Sequence, residues 1–157
     1  MSLKDDALYE TQPTRHFFNR TTRCLVEGDS GFRATPETMT VAQQMAHVAQ
    51  TLDWIREGMF EDRWDMDFEK AMAATNAVTS LTAVRQELDA AWDRMQARIE
   101  ASSETELGSP LADNPILGVR PRHSGIKALV DHTGHHRGAL AVYARLAGKV
   151  PEMPYGD

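Results

Sequence analysis

The sequence predicts an all-α protein, a four-helix bundle with a long linker before the last helix. Three observations predict it. Apolar residues recur at helical spacing in four segments of about 20 residues. No run alternates apolar and polar residues for long, so there is no strand signal. Short breaks rich in Gly, Pro, Ser and Asp separate the segments. At 157 residues and 17.5 kDa, with 41% hydrophobic and 25% charged residues, the chain fits one domain, residues 1–157, with an ordinary hydrophobic core.

The first segment, about Lys4 to Glu27, carries Leu8, Phe17, Phe18, Leu25 and Val26. Pro13 interrupts it, so either the helix starts there or a short first turn stands apart from the rest. The run Gly28-Asp29-Ser30-Gly31 then breaks the chain. The second helix opens on Thr40 with Gln43 three residues later, a capping-box pattern. Its stripe is Val41, Met45, Val48, Leu52, Ile55 and Met59, and Gly58 with the acidic stretch from Glu61 to Asp65 is expected to end it. Residues 66–76 suggest a loop with one helical turn. Thr79 or Ser80 caps the third helix, whose stripe is Leu81, Val84, Leu88, Trp92, Met95 and Ile99. The linker from Ser102 to Arg122 holds three prolines and two glycines and is long enough to carry an extra turn or cover an opening. The fourth helix runs from about Ser124 to Ala147, with Gly148 at the position after its end and Pro151 beyond.

Composition excludes several classes of function. No apolar run is long enough to span a membrane. The N-terminus lacks the apolar core of a secretory leader, and the single cysteine, Cys24, suits a reducing cytoplasm and excludes a cysteine-built zinc site. Cys24 is read as a small core residue, and Trp54, Trp64 and Trp92 as packing. The net charge of −6 argues against nucleic acid as a partner. That average conceals a division. The stretch from Arg120 to Lys149 holds six basic residues against Asp131 alone, whereas Asp53 to Glu69 holds seven acidic residues against two arginines. An anionic small molecule therefore remains compatible with the last helix.

Chemistry concentrates in the histidines. Four of the six fall between His123 and His136. His132 and His136 are four apart on the last helix, so they lie about 40° apart on one face and roughly 6 Å apart along the axis. They continue the inward stripe of Ile126, Leu129, Leu140 and Tyr143. Two inward imidazoles at that spacing can chelate one metal ion. The second helix offers His47 as a third ligand, and His135 competes for a place in the set. His16 and His123 have no such pairing and are read as surface or boundary residues. Three nitrogen ligands leave coordination positions open, the pattern of a reactive site. Arg137 is a candidate contact for a substrate or thiol carboxylate, and Gly138 for close helix packing. Asp131 and Asp53 are the carboxylates nearest the histidines in sequence.

At Gln44-Met45-Ala46-His47-Val48-Ala49, at His132-Thr133-Gly134-His135-His136-Arg137-Gly138-Ala139-Leu140, and at Val142 to Leu146 followed by Pro151 and Pro154-Tyr155-Gly156, the chain resembles the DinB-like family of damage-inducible bacterial proteins. The order and spacing of the helices agree, so the resemblance covers nearly the whole chain. It implies a four-helix bundle of the DinB-like type, with a divalent metal, usually zinc or nickel, on His47, His132 and His136. It implies a homodimer, and an enzyme that activates a low-molecular-weight thiol for S-transfer to an electrophile, with roles in stress response. The alternatives are a hydrolase using metal-bound water and a non-catalytic metal-binding bundle. Ala139 departs from the family, which often has glutamine there, and alters the lining expected of the site.

Overall fold

The computed structural model describes residues 1–155. Among them the regular structure is helical: α1 (Leu3–Thr22), α2 (Val41–Glu61), α3 (Phe68–Asn76), α4 (Leu81–Ala101), α5 (Glu104–Gly108) and α6 (Gly125–Leu146), with short 3-10 turns at Glu27–Asp29 and Arg122–Ser124. No helix among the described residues is long and apolar enough to cross a membrane. The Gly156 of the C-terminal sequence match lies outside the described residues.

Four long helices surround one core. α2 packs between α4 and α6, and α1 closes the ring by packing on both of them. Hydrogen bonds between the elements fix their directions. Ser30 accepts from Ala42 N–H through its carbonyl and from Leu81 N–H through its hydroxyl, which places the starts of α2 and α4 together. Farther along, Arg94 pairs with Asp53, so these two helices run parallel. α1 and α4 are antiparallel, with Lys4 donating to the Glu100 carbonyl at one end and Arg85 to the Thr22 carbonyl at the other. α2 and α6 are antiparallel, with Arg122 donating to Met59 O and Tyr143 to Met39 O. α1 and α6 are parallel. α5 joins the start of α1, through Glu104, to the 3-10 turn before α6, and Phe17 and Arg137 meet farther along.

Parallel neighbours need a connection that returns along the bundle, because a short turn can only reverse the chain. Residues 62–80 make that return from α2 to α4 and contain α3. This is more helix than the one turn expected, and it is capped by the Asp67 side chain on Lys70 N–H. The long linker carries α5 and crosses the end of the bundle from α4 to α6.

The predicted stripes are the core. Val41, Met45, Val48, Leu52, Ile55 and Met59 of α2, and Leu81, Val84, Leu88, Trp92, Met95 and Ile99 of α4, are all buried. The capping box at Thr40 and Gln43 forms in both directions, and Ser80 caps α4. Gly148 takes the left-handed conformation, φ 75°, that ends α6 without a Cβ clash.

Several boundaries differ from the expectation. α1 runs unbroken through Pro13. Pro13 cannot bond back to Tyr9, but this side of α1 is open to water, and the first turn is held by the Ser2 cap and by Glu104, which accepts from Leu3 and Lys4 N–H. α1 stops at Thr22, short of Glu27, where Arg85 donates to both the Thr22 and Leu25 carbonyls. Gly58 does not end α2. The helix continues to Glu61 and stops at Asp62 in the left-handed region. Trp64 folds back over Gly58, where a Cβ would meet the indole at 2.4 Å.

Candidate metal centre

Two helices supply the candidate ligands. His47 sits in the second turn of α2, and His132 and His136 lie one turn apart on α6. The antiparallel packing of α2 on α6 brings them together from 85 residues apart in sequence: His132 Nε2 lies 3.1 Å from His47 Nε2. One ligand nitrogen from each of the three residues lies within 4.8 Å of the others. The three rings stand 4.6–4.9 Å apart, centroid to centroid. Among the described residues no cysteine or carboxylate joins this group.

Their protonation follows from burial. His136 is 9% exposed, and His47 and His132 are half-buried. Burial is the main cause that pushes His132 down to about 4 and His136 to about 3, and mutual repulsion adds to it. His47 is lowered too, by burial and then by His135. All three are therefore neutral imidazoles at pH 7, the form that offers lone pairs. His136 also has a defined tautomer. Its Nδ1 is 2.6 Å from the Gln44 side-chain oxygen, which can only accept, so Nδ1 carries the proton and Nε2 is left as the bare nitrogen.

This donor set fits a divalent cation. Imidazole nitrogens bind such ions at about 2.0–2.1 Å, so three ligands on one ion stand about 3.3 Å apart, within the spread observed here. With no ion, His47 and His132 satisfy each other only if one donates to the other's lone pair. Gln44 plays the part of the oriented partner that metal-bound histidines generally have. It lies three residues before His47 on the same face of α2 and is buried, 7% exposed. Neither Asp53 nor Asp131 serves in its place. Asp53 is engaged by Arg94 and Arg56, and Asp131 is exposed. A buried glutamine one turn from an inward histidine was the available sequence signal for this residue.

The remaining residues sort clearly. His135 is exposed, touches His136 edge-on and stays out of the cluster. His16 is exposed, and His123 is half-buried with Nδ1 3.1 Å from the Leu107 carbonyl oxygen. Cys24 is half-buried against the core. Gly138 is exposed, and a Cβ there would meet nothing within 4 Å, so no helix approaches it as the sequence suggested. Arg137 lies 5.7 Å from the Phe17 ring and 5.6 Å from the Tyr155 ring, and donates to the Tyr155 hydroxyl. It lines a cleft of about 930 Å³ between α1 and α6 that His132 also lines.

Fold and site together define a helical bundle that carries three converging histidines at one helix seam. A family model described as the DinB superfamily matches residues 3–140, and the chain belongs to that superfamily. Solved structures share the fold. A DinB-like protein from Bacillus cereus ATCC 10987 superposes with a TM-score of 0.71 at 18% identity, over 96% of this chain and 94% of that one. A DinB-like protein from Bacillus subtilis gives a TM-score of 0.65 at 16% identity, over 92% and 96%. A mycothiol-dependent maleylpyruvate isomerase gives 0.69 at 14% identity, with 89% of this chain covering 63% of that one. No curated protein matches the chain significantly.

Proposed function

We propose that this protein is a metal-dependent enzyme in which His47, His132 and His136 hold a divalent ion, zinc or nickel, that activates a low-molecular-weight thiol for S-transfer to an electrophile. The convergence of three neutral imidazoles with no carboxylate in the set carries this reading. Bound by His47, His132 and His136, a divalent ion would keep coordination positions open and would favour the thiolate form of a thiol at neutral pH. Gln44 fixes the proton of His136 on Nδ1 and so aims Nε2 inward. The core residues around the cluster exclude water from one side, while His132 borders the cleft from which small molecules can enter. The mycothiol-dependent isomerase among the structural neighbours supports a thiol as the co-substrate. Hydrolysis by metal-bound water ranks lower, because among the described residues no carboxylate joins the histidines as a general base.

The test is turnover. Metal-loaded protein is mixed with a panel of thiols and a chromogenic electrophile, beside His132→Ala. Thiol-dependent turnover that disappears in the variant is expected. If no thiol raises the rate above that of His132→Ala, the reading fails. Elemental analysis of His47→Ala and His136→Ala checks the premise. Metal content falling to background in both is expected, and unchanged content in both removes the site.

A further inference from the structure

The cleft between α1 and α6 has two ends of opposite charge. Because the two helices are parallel, residues early in α1 face those early in α6. Glu10 and Asp131, both exposed, line the cleft toward that end. Phe17, Arg137 and Tyr155 line it toward the other, where Arg137 is half-buried and held against two aromatic rings. Asp131 and Arg137 are six residues apart on one helix, about 9 Å along its axis. His132 sits on the wall between them in sequence.

Arg137 differs in its partners from Arg23, Arg122 and Lys149. Arg122 pairs with Asp62, Lys149 with Asp29, and Arg23 with Glu152. Among the described residues Arg137 has no carboxylate partner; its contacts are the two rings and the Tyr155 hydroxyl. A planar guanidinium oriented on aromatic faces has lost side-chain freedom before any ligand arrives, and its remaining N–H groups suit a carboxylate. The opposite end would repel a carboxylate and attract a cation. A simple anion therefore satisfies only half of the cleft.

We propose that this cleft binds a zwitterion of about dipeptide size, its carboxylate on Arg137 and its ammonium beside Glu10 and Asp131. Combined with the thiol reading above, on which this corollary alone rests, it assigns the co-substrate to charged, peptide-like thiols and not to uncharged, sugar-linked ones. A ligand so placed lies across His132 with both ends anchored by charge.

S-methylcysteinylglycine, a dipeptide with one ammonium and one carboxylate, is the probe, since its blocked sulfur separates recognition by the cleft from binding of a thiolate to metal. Calorimetric titration is run on the protein as purified and again in excess chelator. Saturable binding is expected in both, weakened about tenfold or more in Arg137→Gln, with Arg137→Lys between the two. The Glu10→Gln/Asp131→Asn double variant should also bind it more weakly, yet treat the N-acetylated probe as the wild type does. A ligand-side comparison needs no variant: the N-acetylated probe should bind the wild type about tenfold more weakly. Equal affinity for both probes, equal affinity in Arg137→Gln, or no saturation by about 10 mM overturns the proposal. Such a failure leaves the turnover test above standing. Intact probe binding without thiol turnover sinks the thiol reading alone.

Discussion

Helix α2 packs on α4 along one side and on α6 along another, and the two seams use different side chains. Toward α4 the contact joins two apolar stripes, with Asp53 and Arg94 as a charged rim. Toward α6, the seam holds His47, Gln44, His132 and His136. An apolar seam gains free energy from every buried methylene and tolerates no gaps. A polar seam gains little on burial and keeps its groups only through exact pairing. The difference shows where stability and chemistry reside in one bundle: α4 supplies the former, α6 the latter.

The largest effect is expected on the apolar seam. Trp92 is fully buried, and Trp92→Ala should destabilise the fold by about 3–5 kcal/mol, measured by urea unfolding. A loss below about 1 kcal/mol would show that this seam does not carry the stability assigned to it.

Gln44→Leu addresses the polar seam. Removing the acceptor of the His136 Nδ1–H should weaken metal binding about 10–100-fold in a chelator competition. Unaltered affinity would mean that Gln44 does not orient His136. The same change strands a buried donor and should cost the metal-free fold about 1–3 kcal/mol.

The charged rim adds a pH dependence. Burial pushes the Asp53 carboxyl up, but hydrogen bonds from Arg94 and Arg56 outweigh it and hold the carboxyl below its ordinary range. A carboxyl with a lowered folded pKa stabilises the fold above the unfolded value, near 3.9, and loses that contribution as pH falls through the folded one. Asp53→Asn should therefore cost about 1 kcal/mol at pH 7, with the gap to wild type closing as pH falls below about 3.9. Parallel stability curves over the whole range would place the stabilisation elsewhere.

The smallest effect is a gain. Gly138 is an exposed glycine inside α6 with open space around it, so Gly138→Ala should raise stability by about 0.5–1 kcal/mol and leave metal content unchanged. A loss of stability would reveal an approach to this face that the chain in isolation does not show.

The long apolar stripes and the capping box at Thr40 were legible because each depends on neighbours within one or two turns. The His132–His136 pair was legible for the same reason. The turns of α1 ahead of Pro13 were not, since part of what holds the first turn is Glu104 on α5, far away in sequence. Gly58 was misjudged because its role depends on where Trp64 folds. Gln44 lay within a recognised sequence stretch, yet its partner is on another helix.

Local periodicity alone thus determined that this chain forms four amphipathic helices with two inward histidines on the last. The tertiary structure decided the directions of those helices. Parallel α2 and α4 demand the return through residues 62–80, and antiparallel α2 and α6 bring His47 and Gln44 against His132 and His136. It also decided that Arg137 has aromatic partners where Arg122 and Lys149 have carboxylates. Spacing within a helix is set by 3.6 residues per turn, whereas contact between helices depends on how a whole apolar face finds its partner.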